Sequence, residues 1–101
     1  MTERQRRPRH SKTLQRFLDG YLHQDFRLEY ESPAAAAAAF ASDSSPAEQE
    51  WARQALQRFA TWAAQVEEEA WRAAWKAQGG AWRPSGPASI RAVADALEAW
   101  R

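Results

Sequence analysis

The sequence predicts a small all-α protein, a single-domain helical bundle of four to five helices with one extended connector. Three observations carry that reading. Apolar residues recur at helical spacing in several separate windows. Serine–proline steps, which favour helix starts, stand before two of them. The single alternating run, Phe26 to Glu31, has no second strand candidate to pair with, and an isolated strand cannot satisfy its own backbone.

The elements follow in chain order. Residues 1–11 show no apolar periodicity, carry Pro8 and are rich in arginine, so a disordered basic arm is expected there. Leu14, Phe17, Leu18 and Tyr21 obey the i, i+3, i+4, i+7 rule, so a first helix should run from about residue 12 to 22, with Ser11 as N-cap. Phe26, Leu28 and Tyr30 alternate with Arg27, Glu29 and Glu31. This run reads as an extended segment laid across helices, its apolar side chains inserted. The alternative is an exposed edge offered to a partner.

Ser32-Pro33 opens the second helix. The run Ala34–Ala39 has the strongest helix propensity available, and Phe40 is its one large anchor, so this helix depends on packing. It should end near Ser42. Ser45 with Glu48 then fits a capping box, with serine oxygen on the third helical amide and glutamate returning to the cap amide.

A third helix begins at Pro46. Trp51, Ala55, Phe59, Trp62 and Val66 form its expected inner stripe, with Leu56 and Ala63 beside it. Continued further, the same helix would place Glu69 in the middle of that stripe and Trp71 and Trp75 on the opposite face. A break between about Ala64 and Glu68 is therefore expected. A fourth helix would follow, with Ala70, Trp71, Ala74 and Trp75 inward and Glu67–Glu69 in a first turn that favours negative charge. One continuous helix from 46 to 78 is the alternative, since no glycine or proline marks the break. Gly79-Gly80 ends the segment. Trp82 pins the loop to Pro87, and a last helix starting at Pro87 or Ser89 turns Ile90, Val93, Leu97 and Trp100 inward.

Composition narrows the functional classes. The chain has 101 residues, which is one domain: the arm at 1–11 and a helical domain at 12–101. With no cysteine, there is neither a disulfide framework nor a thiolate metal site. No run of about 18 apolar residues exists to span a membrane, and the basic N-terminus lacks the apolar stretch of a secretory signal. A cytoplasmic protein is expected. The formal net charge of +1 conceals an asymmetry. Residues 13–101 hold 9 basic and 12 acidic residues, a net of −3, below an arm carrying Arg4, Arg6, Arg7, Arg9 and Lys12.

Catalytic chemistry is not evident. His23 precedes Asp25 by two residues, but no further histidine or nucleophile follows in the folded region, so the pair is read as satisfying the end of the first helix. Gly79-Gly80 lacks the downstream Lys-Ser/Thr of a phosphate loop and follows a helix rather than a strand. Neither catalytic residue, cofactor, metal nor small-molecule substrate is assigned. Six tryptophans supply bulk to an alanine-rich chain, and Trp51 or Trp62, Trp71 and Trp100 are expected in the core. Trp75 and Trp82, which flank a Gly/Pro-rich loop, are the candidates for an interface, where tryptophan is enriched.

Two ordered motifs resemble a known family. Tyr21-Leu22-His23-Gln24-Asp25-Phe26, with Tyr30 and Ser32-Pro33, resembles the opening of immunity proteins of bacterial contact-dependent growth inhibition systems (the CdiI type). Gly80-Ala-Trp82-Arg-Pro84 followed by Ser89-Ile-Arg91 resembles a second segment of the same family. The chain departs from the pattern in having Phe26 where tryptophan is usual, and Val93-Ala94 where Trp-Leu is usual. The resemblance implies an inhibitor of a toxin domain carried by a large secreted surface protein. Such toxins are often nucleases with basic clefts, which carboxylates can occlude by imitating phosphate. On that reading Asp25, Glu29 and Glu31 are the acidic contact candidates, joined by Trp75 and Trp82. The competing classes are a small nucleic-acid-associated protein using the Arg4–Lys12 arm, and a helical adaptor. The first lacks a helix with a basic face.

Overall fold

Serine and proline set the helix starts, and an alanine-lined core sets how the helices meet. The computed structural model describes residues 12–22, 32–79 and 82–99. Among them run five helices and no strand: α1 (Lys12–Tyr21), α2 (Pro33–Asp43), α3 (Pro46–Ala63), α4 (Glu68–Ala77) and α5 (Pro87–Ala99). The readings made for the basic arm, for Ser11, His23 and the connector to Glu31, and for Trp100 lie outside the described residues.

The expected caps are formed. Ser32 accepts from the Ala35 amide at 3.1 Å ahead of Pro33. Ser45 accepts from the Glu48 amide and donates its own amide to Glu48 Oε1, each at 3.2 Å, closing the capping box. Glu48 also takes a 2.7 Å bond from Arg16 Nη1, which ties α1 to the start of α3. At the other end of α1, the Tyr21 hydroxyl donates to Asp43 Oδ2 at 2.8 Å, fastening it to the last residue of α2.

The packing is built around α3 and α5, which share the largest interface; α2 lies on α5, and α1 lies across α3 and α2. Alanines let these backbones approach. Ala36, Ala37 and Ala41 of α2, Ala52, Ala55, Ala60 and Ala63 of α3, and Ala94 of α5 are all buried. Phe40, Leu56, Phe59, Ile90, Val93 and Leu97 fill the remaining space with Leu14, Phe17 and Leu18 of α1. Phe17 and Tyr21 meet Phe40 at centroid distances of 5.0 and 5.4 Å, the latter edge to face, an arrangement ring quadrupoles favour.

The break after α3 is where the stripe argument places it. Helix α3 stops at Ala63, and Glu67 precedes α4 in an extended conformation with its carbonyl accepting from Ala70 and Trp71. Val66 packs against the core from the turn between them.

Two expected core positions are corrected. Trp51 is 58% exposed, so the inner stripe of α3 does not begin there. Its place is taken by Ala52 and by Gln49, which is buried and donates Nε2 to the Leu97 carbonyl of α5. The buried face of α3 thus runs through Gln49, which is bonded to the last turn of α5, and through Ala52, and Trp51 is left on the solvent side. Ala70 is likewise exposed, and α4 turns Trp71, Ala74, Trp75 and then Gln78 inward, at i, i+3, i+4 and i+7.

Candidate functional site

At one corner of the molecule the end of α1, the end of α4 and the loop before α5 converge. Helix α4 ends at Ala77, and Gly79 turns the chain away with φ +95°, a conformation that favours glycine. The turn packs closely on α1: a Cβ at Gly79 would run into the Asp19 carboxylate. Gln78 at this turn is buried, and its Oε1 has no hydrogen-bond partner among the described residues.

The loop is then held by its backbone. The Trp82 amide donates to the Leu22 carbonyl at 3.3 Å, and the Trp82 carbonyl accepts from Trp75 Nε1 at 2.9 Å. Arg72 Nη1 donates to the Pro84 carbonyl at 3.0 Å while its Nε donates to Glu68 Oε2 at 3.0 Å, one turn earlier on α4. The same guanidinium lies 4.4 Å from the Trp71 ring centre, a cation–π geometry. Trp75 links this corner to the core: its ring meets Phe59 at 5.3 Å on one side and Trp82 at 6.1 Å on the other.

Between α4 and the loop these contacts leave a groove of ≈ 430 Å³. Arg72, Ala73 and Lys76 form one wall and Trp82, Arg83 and Pro84 the other, with Trp75 between them. Trp82 is half-buried, whereas Lys76 and Arg83 are exposed and their side chains make no hydrogen bond or ion pair with any described residue. No carboxylate is among the described lining residues. A second, more open hollow lies along the outer face of α1 beside Lys12, Arg16 and Asp19.

The structure brings two of the expected interface residues together. Trp75 and Trp82 are hydrogen-bonded neighbours, with Trp75 3% exposed and Trp82 offering the accessible ring. Asp25, Glu29 and Glu31 lie outside the described residues, but the chain enters their segment from Leu22, whose carbonyl is the one Trp82 holds. Thus the end of α1, where the first motif begins, and the loop around Trp82 meet at the same corner. Sequence reasoning missed the cations. Arg72 and Lys76 stand one turn apart on α4, and only the loop brings Arg83 to the same groove.

The corner has the means of recognition: an aromatic surface, a buried anchor and unpaired positive charge. Among the described residues no group of three or more His, Cys, Asp or Glu side chains could hold a metal ion. Residues 10–92 match the family model described as CdiI immunity protein, and the chain belongs to that family. Proteins of this family are inhibitors, and membership implies neutralising a cognate toxin of a contact-dependent growth inhibition system by binding it. No curated protein and no solved structure matches the chain. No helix among the described residues is long and apolar enough to cross a membrane.

Proposed function

We propose that this chain binds one cognate toxin domain of a large secreted surface protein in the cytoplasm, and that the toxin is a nuclease. The observation that carries the reading is the family match over residues 10–92, which contains both motifs of the corner. Asp25, Glu29 and Glu31 meet the basic cleft of the nuclease, where carboxylates substitute for phosphate and steer association. Trp82 contributes apolar contact beside them, and Trp75 acts as a positioning residue through its hydrogen bond to Trp82. The chain has no catalytic activity of its own; its effect is occlusion.

The functional unit is residues 12–101. The arm at 1–11 precedes the first apolar stripe and is dispensable. The test uses the toxin domain encoded by the adjacent upstream gene. The full chain and a version lacking residues 1–11 should both bind it and should both protect a cell expressing it. A folded toxin domain with no detectable affinity for the full chain overturns the reading. If truncation alone abolishes protection while the fold persists, the arm belongs to the interface. Reversing Glu29 and Glu31 to lysine should slow association and weaken its salt dependence, with less effect on dissociation.

A further inference from the structure

We infer that the groove between α4 and the Trp82–Pro84 loop is a second contact zone for the toxin, and that it receives a carboxylate-bearing segment of that partner. The inference rests on the toxin-binding reading above and assigns this groove a role of opposite charge to the connector's.

The groove is built for an anion supported by apolar contact. Of its three cations, Arg72 is already committed to Glu68, the Pro84 carbonyl and the Trp71 ring. Those contacts fix its guanidinium and hold the loop in place. The positive charge of Lys76 and Arg83 is left without a partner among the described residues. Both line the groove, Lys76 from α4 and Arg83 from the loop, beside the half-buried Trp82 and buried Pro84. Lys76 also lies in the last turn of α4, where the helix dipole favours a cation, so its charge is already stabilised in place.

Nucleic acid fits this groove less well than a protein carboxylate. Phosphate-backbone recognition works through a track of cations, commonly about 6–10 phosphate contacts. Here two cations without a side-chain partner among the described residues line a single hollow of ≈ 430 Å³. The Trp82 ring is engaged by Trp75 at 73°, which makes it a wall of the groove. A protein partner uses the same features differently: an aspartate or glutamate takes the cations while its neighbours pack on Trp82.

The location adds selectivity. The acidic connector departs from Leu22, which Trp82 holds by its carbonyl. An interface with negative charge on the connector and positive charge in the groove demands a partner with the inverse pattern. Like charges juxtaposed at either end penalise non-cognate toxins, which is how charge sets register and partner choice.

The experiment is binding kinetics of the full chain against the toxin domain of the adjacent upstream gene, over a range of salt. The double variant K76E/R83E should bind at least about tenfold more weakly than wild type, mainly through slower association. The neutral pair K76Q/R83Q should fall between the two and melt as wild type does. Reversal to lysine of the toxin carboxylate that meets the groove should restore binding to K76E/R83E. Wild-type binding that both double variants retain in full overturns the groove while leaving the immunity reading intact. No binding by wild type removes both. If wild type captures a duplex oligonucleotide, K76E/R83E loses it, and toxin affinity is unchanged, the groove is a nucleic-acid site and the inference is wrong.

Discussion

The α3–α5 pair and the corner around Trp82 are held together by different physics. Between α3 and α5, alanines bring two backbones close and Leu56, Phe59, Ile90 and Leu97 fill the space, all essentially without solvent exposure. Stability there comes from apolar area removed from water and from tight packing. The corner buries Trp75, Leu22 and Pro84 too, but it leaves Trp82 only half-buried and Lys76 and Arg83 exposed. Its loop is fixed by three directed hydrogen bonds, to Leu22, from Trp75 and from Arg72, and by one ring stacked edge to face. Directed bonds fix a geometry without covering its charges, so the corner leaves two cations without a side-chain partner among the described residues. A region that holds the fold together has no surface to spare for a partner. A region pinned at a few points keeps its surface available.

The comparison breaks most visibly by emptying the core. Leu56→Ala should destabilise by about 2–5 kcal/mol, since Leu56 is fully buried and the cavity cannot collapse onto a neighbouring helix already in contact. In a domain whose total stability is roughly 5–15 kcal/mol, urea unfolding should shift far toward low denaturant. A shift no larger than that of a surface substitution would mean that α3 and α5 do not carry the fold.

A smaller effect is expected at the corner. Gly79→Ala places a Cβ at φ +95° and against the Asp19 carboxylate. The backbone share is about 1–2 kcal/mol. The steric share should be relieved by Asp19→Ala, because the obstructing atom is the end of an exposed side chain. A double-mutant cycle by thermal melting checks this: coupling between positions 19 and 79 is expected, and its absence would show that α1 and the turn do not touch.

Glu48 sharpens the comparison at the start of α3, where polar contacts are also used structurally. Its pKa is lowered by the hydrogen bond from the Ser45 backbone amide, then by the Arg16 guanidinium and the Ser45 hydroxyl. A depressed carboxylate stabilises the folded state above its ordinary value of 4.5, and that contribution is lost as pH falls through the lower folded value. Glu48→Gln should therefore melt below wild type at pH 7, and the difference should shrink as pH drops below 4.5. A gap that stays constant over that range would detach the stabilisation from the ionised carboxylate.

Much of the architecture was legible because local chemistry and global packing agree. Ser32-Pro33 and the Ser45/Glu48 box mark helix starts by themselves, and the break after Ala63 followed from the phase of a stripe that would otherwise have buried Glu69. Positions where spacing alone decided were less readable. Trp51 sits four residues before Ala55 and so fitted the stripe, but the buried face begins at Gln49 and Ala52 instead, and which flank of a helix its neighbours cover is not written in α3. Likewise, six consecutive alanines do not say which face is inside; Ala36 and Ala37 are buried because Phe40 and α5 lie on that side. The candidate site was half legible. Trp75 and Trp82 were drawn from their place around a loop, whereas the positive groove needed the loop to fold back before Arg83 could join Lys76.

Trp51 gives the smallest expected effect and the cleanest contrast. It is a large aromatic on the outer face of α3, 58% exposed, while Trp62 and Trp71 are buried. Little apolar area is lost by truncating it, and alanine is the better helix former, so Trp51→Ala should change stability by no more than about 0.5 kcal/mol. An exposed indole is also the side chain most often found as an interface anchor, so the substitution tests the corner as well. If the corner around Trp82 is the contact surface, Trp51→Ala should leave toxin affinity within about twofold of wild type, less than 0.5 kcal/mol. A large loss of affinity with an unchanged melting temperature would move the interface to the outer face of α3 and leave the Lys76 and Arg83 cations as ordinary surface charge.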